Sequence, residues 1–365
     1  MSAPLKVLLV TPFPPPPGGI GRWAVQIAQA GARRPGDVSI ICLDISPRWR
    51  AVYDLALWKR VIGGGLQMLR DVLRYLWMQR CRPDVVHLNS HGQLAPFRDI
   101  PILAVCRLRH IPSVYHMRFG RIPEIARENT VEWRRLRIAL RLAQTVIAID
   151  GKTHQTLQVA FPGKRLCLLP NCVTVPAMTK GYPSNPSRPY LIFLGHVIPT
   201  KGINELMTAW SGMDTQSWRL LLVGTVDDAY RKELQHLFPV PTVEFLGEQS
   251  HERALELLDA SEGLVLPSYT EGFPNVVSEA MAMGKAVIAT DVGAIPDMLA
   301  DGCGVVVPPR DADALRVALE TTLADTVHRR AMGERGRSKA ISKYSVEAVF
   351  DQLLGIWQGS VPESP

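Results

Sequence analysis

Residues 271–279, EGFPNVVSE, place two carboxylates, Glu271 and Glu279, eight positions apart. Gly272, Pro274 and Asn275 between them are residue types that open helices, and the apolar LVLPSYT before them reads as the end of a strand. Pro274 can take the first helical position, because the N–H it lacks would be an orphan there. Backbone amides around Phe273, Pro274, Asn275 and Val276 would then face out beyond the sheet with the positive end of the helix dipole. That arrangement favours an anion, typically a phosphate. Glu279 would lie about one turn deeper. A carboxylate accepts only, and it can take two hydroxyl donors at once, as a ribose diol would supply. Glu271, still in the loop, would face the far side of the same anion. On residue types alone, a dipole-stabilising Glu279 and a solvated Glu271 explain the pattern as simply. A metal pair fits poorly: ligands on one helix want i,i+3 or i,i+4 spacing, and no His or Asp completes a shell.

Two further groups could do chemistry. His87, His91 and His116 fall at or just after expected strand ends, the ligand-binding edge of an α/β sheet, although a lone His there is more often a satisfied polar residue. GGIGRWA (18–24) contains G-x-G-x-x-A, through Gly19, Gly21 and Ala24, and Asp44 closes a second strand about twenty residues on. This is a dinucleotide fingerprint on paper, and it makes an NAD(P)-dependent oxidoreductase the rival reading. In that motif the first glycine turns directly out of strand one, whereas FPPPP intervenes here.

The elements that must position these residues alternate between β and α. In the first half, strands are expected at 5–12, 38–45, 84–90, 112–119 and 145–150, with helices at 18–34, 50–80, 99–109 and 127–143. PAMTKGYPSNPSRP (176–189) has the composition of a linker. The alternation then restarts, with strands at 189–196, 219–224, 242–247, 263–268, 286–291 and 304–309. Helices are expected at 203–210, 229–238, 252–260, 275–283, 294–300 and 311–323. Strands separated by helical crossovers imply parallel sheets. The expected organisation is a domain at 1–175, a linker at 176–188, a domain at 189–340 and a terminal helix over 341–365.

The six cysteines are scattered singly without a CxxC pair, which speaks against zinc or a disulfide framework and fits a reducing cytoplasm. No apolar stretch approaches the ~20 residues that span a bilayer. Net charge is +7, divided as +16 over residues 1–180 and −9 over 181–365. A basic half suits an anionic membrane, nucleic acid or a phosphorylated substrate. Nucleic acid is disfavoured, since no helix-turn-helix, zinc-finger or RNP pattern accompanies the charge. Residues 49–82 interleave Trp49, Tyr53, Trp58, Tyr75 and Trp77 with Arg50, Lys59, Arg60, Arg70, Arg74, Arg80 and Arg82, and Leu66, Leu69, Val72, Leu73 and Leu76 form a helical stripe. Such a segment suits a membrane interface, and core packing of the stripe is the equal alternative.

GLVLPSYTEGFPNVVSEAMAMGKAVIATDVGAIPDML resembles the donor-site signature of the retaining GT-B glycosyltransferases of family 4, whose mark is E-x7-E. LLPNCVTVP (168–176) is similar to the family's P-N-G-V-D segment, with Cys172 where Gly is usual. IFLGHVIPTKGINELMTAW, LLLVG and VEFLGEQS fit as well, and they carry Gly195, Gly224 and Gly247. The first half fits more loosely, through Gly18, Gly19, His87 and His116. The resemblance implies two Rossmann-like, doubly wound α/β domains facing a deep interdomain cleft, with the terminal helix over 341–365 crossing back to the first domain. It implies a nucleoside-diphosphate sugar as donor and no cofactor or metal. Glu279 would hold the ribose, Glu271 and the Phe273–Asn275 backbone the sugar, and Lys201 the pyrophosphate. The family's glycine loop, here Gly18 and Gly19, would approach the ligand closely. VYHMRFG resembles the family's segment with a histidine facing the donor sugar, here His116, and His87, His91 and Arg118 would lie on the acceptor side. His196 stands where Arg is common. An ordinary imidazole there would weaken donor binding as pH rises through about 6–7.5, and Arg118 or Arg121 could supply the missing charge. Asp297 stands where Glu is usual. The acceptor implied is a glycan or a polyprenyl-diphosphate-linked glycan in bacterial cell-surface polysaccharide synthesis, including lipopolysaccharide. The enzyme would be cytoplasmic and peripheral on the inner membrane face.

Overall fold

A computed structural model of the 365-residue chain describes residues 3–15, 18–46, 57–176 and 188–361, with side chains for all of these except 57–64 and 79. Most of the expected linker lies outside the described residues, as do Trp49, Arg50 and Tyr53 and the side chains of Trp58, Lys59 and Arg60. The chain divides into two compact units. One comprises 1–172 together with 346–365, and the other comprises 173–345.

The first unit is built on six strands: β1 (Leu5–Thr11), β2 (Val38–Asp44), β3 (Val85–Ser90), β4 (Ser113–Met117), β5 (Thr145–Ala148) and β6 (Arg165–Leu168). All pair in parallel, in the order β2-β1-β3-β4-β5-β6. Helices cover both faces, so the central strands are apolar on both sides. Along β1 the side chains alternate between two cores. Leu8 and Val10 join Leu88, Ile102, Tyr115, Leu136 and Leu140, while Val7 and Leu9 join Trp23, Ile27, Val114 and Ile147. The second core is completed by the chain's last helix, Val346–Gln358, through Val349, Phe350, Leu353 and Trp357.

The second unit also has six parallel strands: β7 (Tyr190–Leu194), β8 (Arg219–Val223), β9 (Val243–Gly247), β10 (Gly263–Leu266), β11 (Ala286–Thr290) and β12 (Val305–Val307), ordered β12-β11-β10-β7-β8-β9. Four of its helices start on side-chain caps: the carboxylates of Asp227, Asp311 and Asp325 and the Ser250 hydroxyl each accept from an amide of the first turn.

Several expected bounds shift. The helix expected over 127–143 is two, Ile122–Arg127 and Val131–Leu142, divided at Asn129, which has positive φ, and at Thr130, whose hydroxyl caps Trp133 N. The helix expected at 99–109 starts earlier, with Pro96 in its first turn. Of the segment expected as helix over 50–80, residues 50–56 lie outside the described residues and Leu57–Met78 is helical.

Candidate functional site

The strand order of the second unit brings β10 beside β7, so the turns after these two strands meet. After β7 the chain makes a short turn over Pro199–Lys201 and enters the Ile203–Ser211 helix through Gly202. Gly202 has φ +70°, and a Cβ there would lie 2.0 Å from the Pro267 carbonyl oxygen. Only glycine permits that approach. Tyr269 N donates to Thr200 O at 3.0 Å, tying the same two turns together. The result is an ion pair: Lys201 Nζ donates to Glu271 Oε1 at 2.6 Å, with both side chains largely buried.

The Glu271 loop is held from its other side as well. Ala294 N donates to Gly272 O at 2.8 Å, and Gly293, at φ +55°, packs against the Glu271 and Gly272 carbonyls. The helix then runs Asn275–Ala282. Pro274 is its N-cap rather than its first helical residue: its ψ of 114° is extended, so the chain turns helical only at Asn275. No side chain caps this helix. Glu279 follows four residues after Asn275 and is half-buried. Phe273 is buried and meets Tyr344 edge-on, with ring centroids 5.3 Å apart.

The glycines that end β7, β8 and β9 form one backbone layer. Gly195, Gly224 and Gly247 all have positive φ. Gly224 N donates to Gly247 O at 2.8 Å, and a Cβ on Gly224 would lie 1.9 Å from Gly195 O. His196 is exposed, and its Nδ1 is hydrogen-bonded to Thr225 Oγ1, a partner the sequence did not suggest. Asp297 lies on the short Ile295–Leu299 helix, and its carbonyl accepts from Lys339 Nζ at 2.7 Å.

In the first unit, β3 runs to Ser90 as expected, and Asn89 and Ser90 pair with His116 and Met117 of β4. His87 is therefore inside the strand, fully buried, and not at its end as expected. His116 is the penultimate residue of β4 and equally buried. The two imidazoles adjoin, His116 Nδ1 to His87 Nε2 at 3.3 Å. Trp357 Nε1 donates to His87 Nδ1 at 3.0 Å, and Arg118 Nη1 lies 3.3 Å from His116 Nε2. The Arg118 guanidinium sits 4.2 Å above the Trp23 ring. Burial, then the Arg118 charge, push His87 down to about 3, against a smaller opposing pull from Asn89. Burial, then Arg118 and His87, hold His116 well below the usual imidazole range. Burial lowers Arg118 to about 9. Both imidazoles are thus neutral and Arg118 is cationic near pH 7. Trp23 and Trp357 were absent from the expected site; Trp23 stands inside the GGIGRWA loop already singled out, whereas nothing local points to Trp357. His91 is exposed just beyond β3. Arg121 is engaged by Glu132 at 3.2 Å.

The glycine loop differs from a dinucleotide site. The Asp44 carboxylate, which a ribose would need, accepts from Phe13 N at 3.1 Å and from Ser46 N at 2.9 Å. Gly18 is extended, and a Cβ there would meet nothing within 4 Å, whereas Gly21 makes the close approach, to Pro14.

Comparison with known proteins agrees with this architecture. The profile described as "Glycosyl transferases group 1" matches residues 176–339, and that of "Glycosyltransferase Family 4" matches residues 17–175. Alpha-D-kanosaminyltransferase of Streptomyces kanamyceticus is 30% identical over 176 residues, which is 47% of this chain and 46% of that protein. The chain spans about half the length of the curated relatives it matches. Sucrose-phosphate synthase from Thermosynechococcus elongatus superposes with a TM-score of 0.74 at 20% identity, over 97% of this chain and 98% of that one. Anabaena Alr3699/HepE, solved in complex with UDP, superposes with a TM-score of 0.72 at 17% identity, over 97% and 100%. The chain belongs to the GT-B group 1 glycosyltransferases of the family 4 type.

Proposed function

We propose that the chain is a retaining glycosyltransferase that moves a sugar from a nucleoside-diphosphate sugar to a hydroxyl of a glycan or polyprenyl-diphosphate-linked acceptor in bacterial cell-surface polysaccharide synthesis. The observation that carries the reading is the Lys201–Glu271 pair beside the amino end of the Asn275–Ala282 helix, with Glu279 one turn along it. A cation and a helix amino end suit a diphosphate, and a carboxylate at that depth suits a ribose diol. The naming of UDP with the Anabaena structure supports the same class of donor.

In this reading the acceptor oxygen bonds to the anomeric carbon on the face from which the diphosphate leaves. The bond to the β-phosphate oxygen breaks, and that oxygen takes the acceptor's proton. Lys201 and the helix amides stabilise the charge that develops on the leaving group, so no metal is required. Glu271 orients the sugar and forms no covalent bond to it. Trapping a glycosyl ester on Glu271 would replace this scheme with double displacement.

Membrane attachment forms part of the proposal. On the Leu57–Met78 helix, Leu66, Leu69, Leu73 and Trp77 are 64%, 57%, 57% and 65% exposed, with the exposed Arg70 and Arg74 among them. Tyr75 is buried instead, against Cys106. An exposed apolar face edged by arginines suits an anionic leaflet. Flotation with phosphatidylserine vesicles at low salt tests this, and failure to float would remove it.

Calorimetric titration with UDP, GDP, ADP and NAD, in wild type and Glu279→Ala, tests the function. Binding of one nucleoside diphosphate, lost in the variant, supports the donor reading. Binding of NAD alone, indifferent to the variant, would favour an oxidoreductase.

A further inference from the structure

The chain enters the second unit at Val173 and leaves it after Ser345. Inside the unit these two ends are paired with each other. Val173 and Ser345 form an isolated parallel bridge, and Val173 N donates to Tyr344 O at 2.7 Å. The Tyr344 carbonyl is available because the helical path stops there: Ser345 is extended, with ψ 152°, and the last carbonyls of a helix have no partner within it. The residues that present it, Ala340–Tyr344, form a π turn on the end of the Thr326–Lys339 helix. Such wide turns are rare and concentrate at functional sites.

Both ends of the Asn275–Ala282 helix are fastened to this pairing. At the amino end, Phe273 precedes the Pro274 N-cap, and its ring meets the Tyr344 ring edge-on with centroids 5.3 Å apart. Phe273, Tyr344 and Val173 are all buried. At the carboxyl end, Ala282 O accepts from Arg337 Nη1, and Arg337 Nη2 donates to Pro176 O at 3.0 Å. One guanidinium thus caps the helix, where a cation suits the negative end of the dipole, and holds the far end of the 173–176 stretch. All of these residues belong to the second unit.

The links have a direction. An edge-on contact between rings depends on their relative placement, so a turn that moves Phe273 must carry the Tyr344 ring with it or lose the contact. The Tyr344 ring and the carbonyl that accepts from Val173 belong to one residue, so a displaced ring disturbs that bond. An anion held by the backbone amides after Phe273 would fix the turn. It would then oppose any opening that needs the turn to move.

We propose that Phe273 and Tyr344 relay occupancy of the helix amino end to residues 173–176, so that a bound nucleoside diphosphate holds the Val173–Tyr344 bond closed. The Phe273 ring, Tyr344 and Arg337 act in this as positioning residues. The inference rests on the donor reading for its ligand, whereas the relay itself is a property of the free protein.

Amide hydrogen exchange of the full-length protein, read at Val173, is the test. Calorimetry first identifies which of UDP, GDP and ADP binds. At about a hundred times the Kd, an opening that fully breaks the site slows about a hundredfold, and an uncoupled opening does not change. In the free protein Val173 is expected to exchange faster than the amides of β8, through a local opening. The bound nucleotide is expected to slow Val173 by about tenfold or more. In Tyr344→Leu the nucleotide is expected still to bind and to slow the amides of the Asn275–Ala282 helix, while Val173 no longer responds. Tyr344→Phe keeps the ring and is expected to restore the response, which a tyrosine needed only for its hydroxyl would not do. The relay is overturned if Val173 exchanges as slowly as β8 in the free protein, if bound nucleotide leaves it unchanged, or if Tyr344→Leu responds as wild type does. Binding of none of the three nucleotides rejects the donor reading instead, and the free protein then decides the relay. There, Phe273→Leu is expected to speed Val173 exchange by about tenfold or more while the β8 amides keep their rates, and an unchanged Val173 overturns it. If Tyr344→Leu fails to fold, the wild-type response to nucleotide decides.

Discussion

Lys201 Nζ donates to Glu271 Oε1 at 2.6 Å, joining two turns 70 positions apart in sequence. The contact is a charge-assisted hydrogen bond between two mostly buried groups. A diphosphate arriving at Lys201 must compete with Glu271 for the same ammonium. Lys201→Ala is therefore expected to weaken UDP binding at least tenfold, about 1.4 kcal/mol. Glu271→Gln removes the competitor. It should leave UDP affinity within about threefold or tighten it, while turnover falls by roughly two to three orders of magnitude. Calorimetry and steady-state rates on the two variants separate these effects. Equal loss of UDP binding in both would make the pair a structural clamp.

Glu279 has a sharper signature. If its carboxylate takes both ribose hydroxyls, Glu279→Ala should cost UDP roughly 1–3 kcal/mol. It should cost 2′-deoxy-UDP distinctly less, since one of the two hydrogen bonds is already missing. Titrating both nucleotides into both proteins closes a thermodynamic cycle. An equal penalty for each nucleotide would leave Glu279 with its dipole role alone.

The glycines should separate by what surrounds them. Gly202→Ala combines φ +70° with a carbonyl 2.0 Å from the new Cβ, so it is expected to destabilise the second unit by more than about 3 kcal/mol. Gly247→Ala, at φ +67° with nothing within 4 Å, should cost only about 1–2 kcal/mol. Gly18→Ala, extended and in open space, should stay within about 0.5 kcal/mol. Urea midpoints for the three variants test the ranking.

The parts of this arrangement that the sequence disclosed are local. Alternating β and α segments with short apolar strands announced two parallel sheets, and EGFPNVVSE announced a strand–turn–helix with carboxylates at fixed offsets. Contacts across distant positions were not legible. The resemblance implied that the last helix crosses back to the first domain, and it packs there, but nothing in LLGIWQ says that Trp357 reaches His87 over 270 positions. The depth of His87 was misjudged although the strand's end was not: the expected strand over 84–90 and the observed Val85–Ser90 both leave position 87 three residues short of the end, inside the sheet. Leu66, Leu69 and Leu73 show the limit of periodicity. A stripe at helical spacing predicts one apolar face and says nothing of what covers it.

Acid stability should report the buried histidines. His87 and His116 are neutral in the fold, because burial and the Arg118 cation outweigh the smaller pull of Asn89 towards a charged His87. Their folded values lie below the ordinary 6.5, His87 at about 3, so the unfolded chain binds more protons as pH falls. Stability is then fully present above about pH 6.5 and lost progressively below it. Each imidazole whose folded value lies well under 5 should cost about 2 kcal/mol between pH 7 and pH 5. His87→Gln keeps an acceptor for Trp357 and removes one titrating ring. Its urea midpoint should fall about half as far over that interval as that of wild type. An unchanged pH dependence in the variant would mean that His87 charges within the fold, and that its hydrogen bond from Trp357 does not persist in solution.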